Sequence, residues 1–180
     1  MEFLAKGKRS HVFRDGDIVV KVEREDSKAV NRILNEAFWL KMLNKKGIGP
    51  KFLKLEGNKV YMEFIEGEKI LDYAKKASKK ELNKVLVELL EQCRILDKMQ
   101  VNKLEMNHPM KHVLVRKNKV VMIDFERCKR TENPKNVTQV CQFLSRYFKI
   151  VGILEKAKSY KEDFSENSYK EIKKCLTNTL

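Results

Sequence analysis

Two apolar runs of the chain each end in an ionisable residue. Lys21 follows the run of residues 18–20, and Asp124 follows the run of residues 120–123. A carboxylate at the end of a buried strand is costly unless a positive group receives it. A magnesium ion that bridges nucleotide phosphates would receive the carboxylate of Asp124. An acidic residue on an ordinary surface turn is the alternative.

A second acidic residue, Glu36, lies 15 positions after Lys21 in a segment with helical periodicity. Its neighbours include Leu34, Ala37 and Phe38, among which a solvated carboxylate is unexpected. We therefore predict that Glu36 is buried in an ion pair with a cation. In the alternative interpretation Lys21 lies at a strand edge and Glu36 lies on the surface of a helix.

A single glycine, Gly7, opens the segment of residues 7–13 that precedes the first predicted strands. Ser10 and the backbone N–H groups of this segment are suited to holding phosphate oxygens. Lys8 and Arg9 would add positive charge there. With only one glycine the motif is weak, and an ordinary glycine turn is the alternative.

Turn signals divide the first third of the chain into two hairpins with a helix between them. The first turn is Asp15-Gly16, and the second is Gly57-Asn58. Residues 47–50, which contain two glycines and a proline, are expected to end the helix at about residue 45. The apolar residues that predict the helix are Ala29, Val30, Ile33, Leu34, Ala37, Phe38 and Leu43.

Beyond residues 64–67 the pattern becomes mainly helical. Ser78 and Glu81 form a capping-box signature ahead of a long apolar stripe. Two short strands are predicted at residues 113–116 and 119–123, and a helix is predicted after Pro134. A last helix is predicted at about residues 167–177. This order, a sheet with one helix followed by mostly helix, indicates an α+β fold.

The composition describes a globular chain of one domain, or of two small lobes that share a cleft. The 180 residues are 42% hydrophobic and 36% charged. No apolar run approaches the roughly 20 residues that cross a bilayer, and the N-terminus lacks the apolar core of a secretory signal. A cytoplasmic protein that does not enter a membrane is therefore expected. The four cysteines have no close spacing and are expected to be buried free thiols.

A formal net charge of +14 points to acidic partners. ATP, RNA or another acidic molecule would be favoured electrostatically. The lysines are nevertheless spread along predicted helices, where they also fit a solubility feature or a thermal adaptation. The basic runs contain no aromatic-rich RNA-binding motif.

The order of elements, with Lys21, Glu36, residues 62–64 and Asp124, resembles the protein-kinase-like superfamily. The chain is most similar in style to the small Rio-type and other archaeal atypical serine/threonine kinases, over about residues 5–130. The resemblance implies an N-terminal lobe at residues 1–65, formed by an antiparallel sheet and one helix. It also implies a mostly helical C-terminal lobe with a short β-hairpin at residues 66–180.

The resemblance implies ATP and Mg²⁺ as cofactors. Lys21 would contact the α- and β-phosphates, Glu36 would steady Lys21, and Asp124 would hold the metal. Residues 61–67 resemble the hinge that reads the adenine edge with backbone groups, although an ordinary strand and turn is the alternative. The implied cofactor-binding residues are Gly7, Ser10, Lys21, Glu36, Glu63 and Ile65.

The segment that resembles a catalytic loop, residues 105–114, departs from the kinase pattern. Counting back from the following hairpin aligns Asn107 with the base aspartate and His112 with the metal-binding asparagine. An asparagine cannot accept a proton from a substrate hydroxyl, and a histidine is a poor Mg²⁺ ligand. Lys111, His108 or Glu105 would have to assist. The two histidines are equally compatible with loop packing and capping.

Three functions remain open from the sequence. The first is a kinase that transfers phosphate from ATP to a protein hydroxyl, including its own, with Asn107, Lys111, His112 and Asp124 as the catalytic set. The second is a pseudokinase that binds nucleotide as a scaffold. The third is a basic protein associated with RNA or the ribosome.

Glu126 replaces the usual glycine after Asp-Phe, which makes a mobile activation segment unexpected.

Overall fold

The structure is a computed structural model that describes residues 1–7, 9–24 and 31–179. Three residues that carried predictions, Lys8, Ala29 and Val30, lie outside the described residues. The chain divides into two compact units. One unit consists of Met1–Gly67 with Val121–Cys128, and the other consists of Glu68–Val120 with Lys129–Leu180.

The described residues of the first unit form five strands: β1 (Glu2–Lys6), β2 (Ser10–Asp15), β3 (Ile18–Glu23), β4 (Phe52–Glu56) and β5 (Lys59–Glu63). They form one antiparallel sheet in the order β1-β2-β3-β5-β4. Both predicted hairpins are confirmed, and their turn glycines, Gly16 and Gly57, have φ of 59° and 54°. The strand β1 was not predicted, because all of its residues are exposed and show no alternation.

One helix, α1 (Arg32–Asn44), lies between β3 and β4 in the sequence. The predicted helix stop is confirmed, since Gly47 has a φ of 69° just after the helix. The Asn44 side chain donates to the carbonyls of Ile48 and Pro50 at 3.0 and 2.9 Å. The same side chain accepts from the N–H of Phe52 at 2.7 Å, which connects the helix end to the start of β4.

The second glycine of the helix stop, Gly49, is required by packing in the core of the first unit. Its φ is 84°, and a Cβ placed on it would lie 2.9 Å from the ring of Phe125 and 3.1 Å from Leu40. Phe125 is fully buried. The residue that follows Asp124 is therefore held by close packing against the end of α1.

The second unit contains five helices: α2 (Ile70–Ala74), α3 (Lys79–Lys98), α4 (Asn136–Phe148), α5 (Ile153–Asp163) and α6 (Glu166–Thr179). The capping box at the start of α3 is confirmed, because Ser78 and Glu81 exchange hydrogen bonds between side chain and backbone N–H. The helices α2 and α5 were not predicted. The sequence signal for α5 was the i, i+4, i+7 spacing of Ile153, Ala157 and Tyr160, all of which are buried.

Five short strands complete the fold: β6 (Glu68–Lys69), β7 (Val101–Asn102), β8 (Val113–Arg116), β9 (Lys119–Met122) and β10 (Lys129–Arg130). They form a three-stranded sheet in the order β6-β8-β9 and a two-stranded sheet of β7 and β10. The predicted hairpin turn at Lys117 and Asn118 is confirmed, and both residues have positive φ. In the described part of the chain, no helix is long and apolar enough to cross a membrane.

The cysteines are free thiols, as expected, but only three of them are buried. Cys93, Cys128 and Cys141 are buried, and Cys175 is partly exposed. Burial raises the pKa of the Cys93 thiol well above its usual value. These three thiols are therefore packing residues rather than nucleophiles.

A buried carboxylate, Asp97, joins α3 to the start of α4 in the second unit. Its Oδ1 accepts from the backbone N–H and the side-chain amide of Asn136 at 3.0 and 2.7 Å. Its Oδ2 accepts from the N–H of Val137 at 3.2 Å and from the hydroxyl of Tyr160 at 3.0 Å. Burial raises the pKa of Asp97, and these four donors oppose the rise.

We predict that Asp97→Asn destabilises the protein by about 2–4 kcal/mol, because the new amide cannot accept from all four donors. Urea unfolding followed by circular dichroism measures the change. Asp72→Asn is the matched control, since the Asp72 carboxylate is exposed and contacts Lys75. An Asp97→Asn variant as stable as the wild type would contradict the structural role of this carboxylate.

Candidate functional site

Three charged side chains meet in the first unit. Lys21 lies on the central strand β3, where it pairs with Val12 on one side and Val60 on the other. Its Nζ lies 2.9 Å from both carboxylate oxygens of Glu36 and 3.3 Å from Oδ1 of Asp124. The structure therefore brings together residues that are 15 and 103 positions apart.

The three side chains differ in exposure, and this difference sets their electrostatics. Glu36 is fully buried, Lys21 is 13% exposed, and Asp124 is 33% exposed. Burial alone would lower the pKa of Lys21, but the carboxylates of Glu36 and Asp124 raise it by more. Burial raises the pKa of Glu36, against the opposing effect of the Lys21 ammonium. The Lys21 ammonium is thus a cation held between the buried carboxylate of Glu36 and the partly exposed carboxylate of Asp124.

Two of the apolar neighbours from which the burial of Glu36 was predicted are not themselves buried. Leu34 and Phe38 are 46% and 49% exposed. Residues two positions apart on a helix point in nearly opposite directions, so exposure of these two is consistent with a buried Glu36. Ile33, Ala37 and Leu40 are also buried, and they lie with Glu36 on the face of α1 that packs in the core.

Asp124 has a left-handed backbone conformation, with a φ of 67°. The next residue, Phe125, donates its backbone N–H to Oε1 of Glu36 at 3.2 Å. Glu36 therefore contacts both the lysine and the backbone that carries Asp124. A non-glycine residue in this conformation costs free energy and persists where surrounding contacts compensate.

Two residues that the sequence analysis did not single out, Asn35 and Trp39, hold the turn after Asp124. The side-chain amide of Asn35 donates to the carbonyls of Glu126 and Cys128 at 2.8 and 3.0 Å. The indole N–H of Trp39 donates to the same Cys128 carbonyl at 3.0 Å. The only sequence signal was that these two residues are four positions apart on the helix that carries Glu36.

In the segment predicted to bind phosphate, Gly7 and Ser10 lie in contact with each other. The N–H of Gly7 donates to the carbonyl of Ser10 at 2.8 Å. A Cβ on Gly7 would lie 2.9 Å from that carbonyl oxygen, so this close approach favours glycine at position 7. The guanidinium of Arg9 contacts the carboxylate of Glu126 at 3.1 Å, and both side chains are largely buried, at 24% and 11% exposure.

The hinge-like segment follows β5. Glu63 exchanges hydrogen bonds with Lys51, because its N–H donates to the Lys51 carbonyl and its carboxylate accepts from the Lys51 N–H. The N–H of Phe64 donates to the carbonyl of Asp17 at 2.8 Å. Ile65 is buried, and its backbone N–H donates no hydrogen bond to any other described residue.

The loop of residues 105–112 belongs to the second unit. Glu105 has a φ of 73°, and its carboxylate lies 3.2 Å from Nε2 of His112. Asn107 is partly buried, Lys111 is exposed within a 3-10 turn, and His108 contacts Arg146. The catalytic roles of Asn107, Lys111 and His112 stay predictions. The contact between Glu105 and His112 was not predicted, because Glu105 was considered only as a separate helper.

The donors around Asp124 fit a magnesium ion held jointly by protein and nucleotide. Mg²⁺ prefers carboxylate oxygens and usually binds through one or two of them together with substrate phosphates and water. Within the residues that the structure describes, no group of three or more histidine, cysteine, aspartate or glutamate side chains forms a metal site. The partly exposed carboxylate of Asp124 is one ligand of the type that such an ion takes.

Comparison with known proteins places the fold. No protein-family model matches the sequence, and no curated protein matches it. Among solved structures, WbdD in complex with the kinase inhibitor LY294002 has a TM-score of 0.67 at 18% identity. The match covers 98% of this chain and 45% of the WbdD chain, so this chain spans less than half of WbdD.

The Rio2 kinase from Chaetomium thermophilum is also similar. Its ADP/Mg²⁺-phosphoaspartate complex has a TM-score of 0.60 at 14% identity, over 97% of this chain and 69% of that one. A second structure of the same kinase gives 0.60 at 13% identity, over 99% and 72%. The chain therefore has the protein-kinase-like α+β fold, and the predicted resemblance to Rio-type kinases is confirmed for the fold.

We predict that Lys21→Met destabilises the protein by about 3–5 kcal/mol at pH 8, because it leaves the Glu36 carboxylate buried without its cation. The loss should be smaller at pH 5. A buried carboxyl with a raised pKa binds a proton in the folded state that the unfolded chain has already released, so the stability of the variant falls as the pH rises. Urea unfolding at both pH values measures this difference.

Two further variants test the cause. Lys21→Met combined with Glu36→Gln should recover stability at pH 8, since no buried charge remains. Lys54→Met is the matched surface control, because the Lys54 ammonium contacts Glu56 at 2.7 Å with both side chains more than half exposed. A Lys21→Met variant with the same loss at pH 5 and pH 8 would contradict the ion-pair explanation.

Proposed function

We propose that this chain binds ATP with Mg²⁺ and acts as a phosphotransferase that resembles a small atypical serine/threonine kinase. The observation that carries the proposal is the position of the Lys21 ammonium, 2.9 Å from both oxygens of buried Glu36 and 3.3 Å from Asp124. A buried lysine held in place by one carboxylate, next to a more exposed carboxylate, suits the recognition of a triphosphate and its metal. The kinase-like fold supports this interpretation.

Each candidate site residue of the first unit has a proposed role in nucleotide binding. Lys21 would bind the α- and β-phosphates, and Glu36 would orient Lys21. Gly7 and Ser10 would cover the phosphates. Glu63 and Ile65 would face the adenine, with the Ile65 N–H as the donor. Bound Mg²⁺, held by Asp124, would neutralise charge on the phosphate oxygens.

In the proposed reaction the γ-phosphoryl group moves to a hydroxyl oxygen of a protein acceptor. A bond forms between the acceptor oxygen and the γ-phosphorus, the bond between the γ-phosphorus and the β–γ bridging oxygen breaks, ADP leaves, and the acceptor hydroxyl gives its proton to water. Asn107 cannot take this proton, so we expect transfer to be slow and to rely on positioning by the loop that contains Lys111 and His112. Positioning and electrostatics supply most of the catalysis of phosphoryl transfer.

The acceptor has two candidate chemistries. A serine or threonine hydroxyl, in another protein or in this chain, is the first. One of the similar Rio2 kinase structures is a complex that contains phosphoaspartate, which makes a carboxylate the second. The two products differ in stability, because hydroxylamine cleaves an acyl phosphate and leaves a phosphoserine intact.

Two other functions are compatible with the same fold. A pseudokinase would bind nucleotide without transfer, which the altered residues 107 and 112 favour. A protein associated with RNA or the ribosome is favoured by the net charge of +14 and by exposed lysines such as Lys79, Lys80 and Lys158. The cytoplasm, where ATP is abundant and thiols stay reduced, is the expected location for all three.

We predict that millimolar ATP with Mg²⁺ raises the melting temperature of the protein. At a ligand concentration 100 times the Kd, binding stabilises the folded state by about 2.7 kcal/mol. Lys21→Ala and Asp124→Ala should each abolish the rise, measured against the melting temperature of the same variant without ligand. Lys54→Ala, at an exposed ion pair, should retain it. No shift in the wild type would contradict both the kinase and the pseudokinase.

We also predict slow turnover of radiolabelled ATP, which Asp124→Ala removes. Turnover distinguishes the kinase from the pseudokinase, and hydroxylamine treatment of the labelled protein distinguishes the two acceptors. An RNA-binding protein would instead show RNA affinity that falls steeply with salt and is unchanged in Lys21→Ala and Asp124→Ala. Nucleotide binding without turnover would support the scaffold function.

A further inference from the structure

The turn that follows Asp124 is attached to α1 at several points. Cys128 donates its N–H to the carbonyl of Phe125 at 3.0 Å, which closes the turn of residues 125–128. The carbonyls of Glu126 and Cys128 remain to be satisfied, and both accept from the Asn35 side chain. One amide group therefore bridges the middle and the end of the turn.

We propose that Asn35 is a positioning residue for Asp124, acting through this turn. The Asn35 amide would set the direction in which the Asp124 carboxylate leaves the end of β9, and thereby the affinity of the site for Mg²⁺. The part of this proposal that concerns the metal rests on the proposed function. The part that concerns the backbone of residues 124–128 does not.

The conformational cost at Asp124 gives the turn its importance. A left-handed aspartate costs of the order of 1–3 kcal/mol and is kept only where neighbouring contacts determine it. Asp124 is followed directly by the turn, so a turn that shifts would allow Asp124 to return to a more favourable φ. The contact between Asp124 and Lys21 at 3.3 Å would then be lost or lengthened.

The other attachments of the turn to α1 cannot replace Asn35. Glu36 reaches the turn only through the N–H of Phe125, at its first residue. Trp39 donates only to the last carbonyl, and the Arg32 guanidinium reaches the Glu126 carbonyl only at 3.4 Å. Asn35 makes the short bond to Glu126, at 2.8 Å, in the middle of the turn.

The residue type at position 126 also favours a fixed turn. A glycine there would give the segment backbone freedom, and Glu126 removes it. The Glu126 carboxylate also pairs with Arg9 at 3.1 Å. The side chain of Glu126 is thus held by Arg9, and its backbone carbonyl is held by Asn35. These contacts are consistent with one fixed conformation of the turn rather than a switch.

The matched control is Asn44→Ala. Asn44 lies on the same helix, and its amide also bridges two carbonyls, those of Ile48 and Pro50, at 3.0 and 2.9 Å. Both substitutions remove one asparagine and two hydrogen bonds to carbonyls. Asn44→Ala also removes the hydrogen bond that Asn44 accepts from the N–H of Phe52, so it is at least as disruptive as Asn35→Ala. A purely structural role predicts similar effects of the two variants, whereas a positioning role predicts effects near Asp124 only for Asn35→Ala.

The first experiment measures amide hydrogen exchange by NMR in the protein without ligand. We expect Asn35→Ala to increase exchange of the Phe125 and Cys128 amides by about ten-fold or more relative to the wild type. Asn44→Ala should leave these two amides within about two-fold of the wild type. Unchanged exchange of both amides in Asn35→Ala would overturn the proposal, whatever the protein binds.

The second experiment titrates Mg²⁺ at fixed ATP and follows the thermal shift. We expect Asn35→Ala to raise the Mg²⁺ concentration for half of the maximal shift by about ten-fold, and Asn44→Ala to leave it nearly unchanged. An equal Mg²⁺ dependence in wild type and Asn35→Ala would overturn the metal part. If the wild type shows no shift with ATP and Mg²⁺, the proposed function fails, and the exchange experiment still decides the backbone part.

Discussion

The buried carboxylate of Glu36 is the group on which the first unit depends. Burying a carboxylate fully destabilises the folded state unless its oxygens accept hydrogen bonds or pair with a cation. The oxygens of Glu36 accept from the Lys21 ammonium and from the N–H of Phe125. One side chain on α1 therefore fixes both a strand of the sheet and the segment that follows β9. The same arrangement presents the partly exposed carboxylate of Asp124 next to a cation.

The segment after Asp124 adds a second constraint. Asp124 has a left-handed backbone, Phe125 packs against Gly49, and the turn of residues 125–128 is bonded to α1 by Asn35 and Trp39. These contacts favour a site that is assembled before any ligand arrives. A preassembled site loses little free energy to reorganisation on binding, which agrees with the proposed nucleotide binding.

The second unit is organised around a different carboxylate. Asp97 accepts three hydrogen bonds from the start of α4 and a fourth from Tyr160 on α5, so it joins α3 to both helices. The loop of residues 105–112 lies in this unit and contains the contact between Glu105 and His112. The predicted alignment with the catalytic loop of kinases puts Asn107 in place of the base aspartate and His112 in place of the metal-binding asparagine. For this reason we expect the proposed transfer to be slow, and a scaffold function remains a candidate. The fold by itself does not choose between the two.

Local patterns determined much of this protein. Alternation and turn residues predicted both hairpins and the hairpin before Asp124, and helical spacing with a glycine stop predicted α1, because these signals act between near neighbours. The pairing of Lys21 with Glu36 was implied by the resemblance to kinases, and the apolar neighbours of Glu36 by themselves predicted only that it is buried. Tertiary structure decided that Leu34 and Phe38 are exposed, that β1 joins the sheet, and that Asn35 and Arg9 hold the turn after Asp124. The contacts of Asn35 and Arg9 with Glu126 join residues 91 and 117 positions apart, and no periodicity in the sequence records which distant carbonyl or carboxylate a side chain will meet.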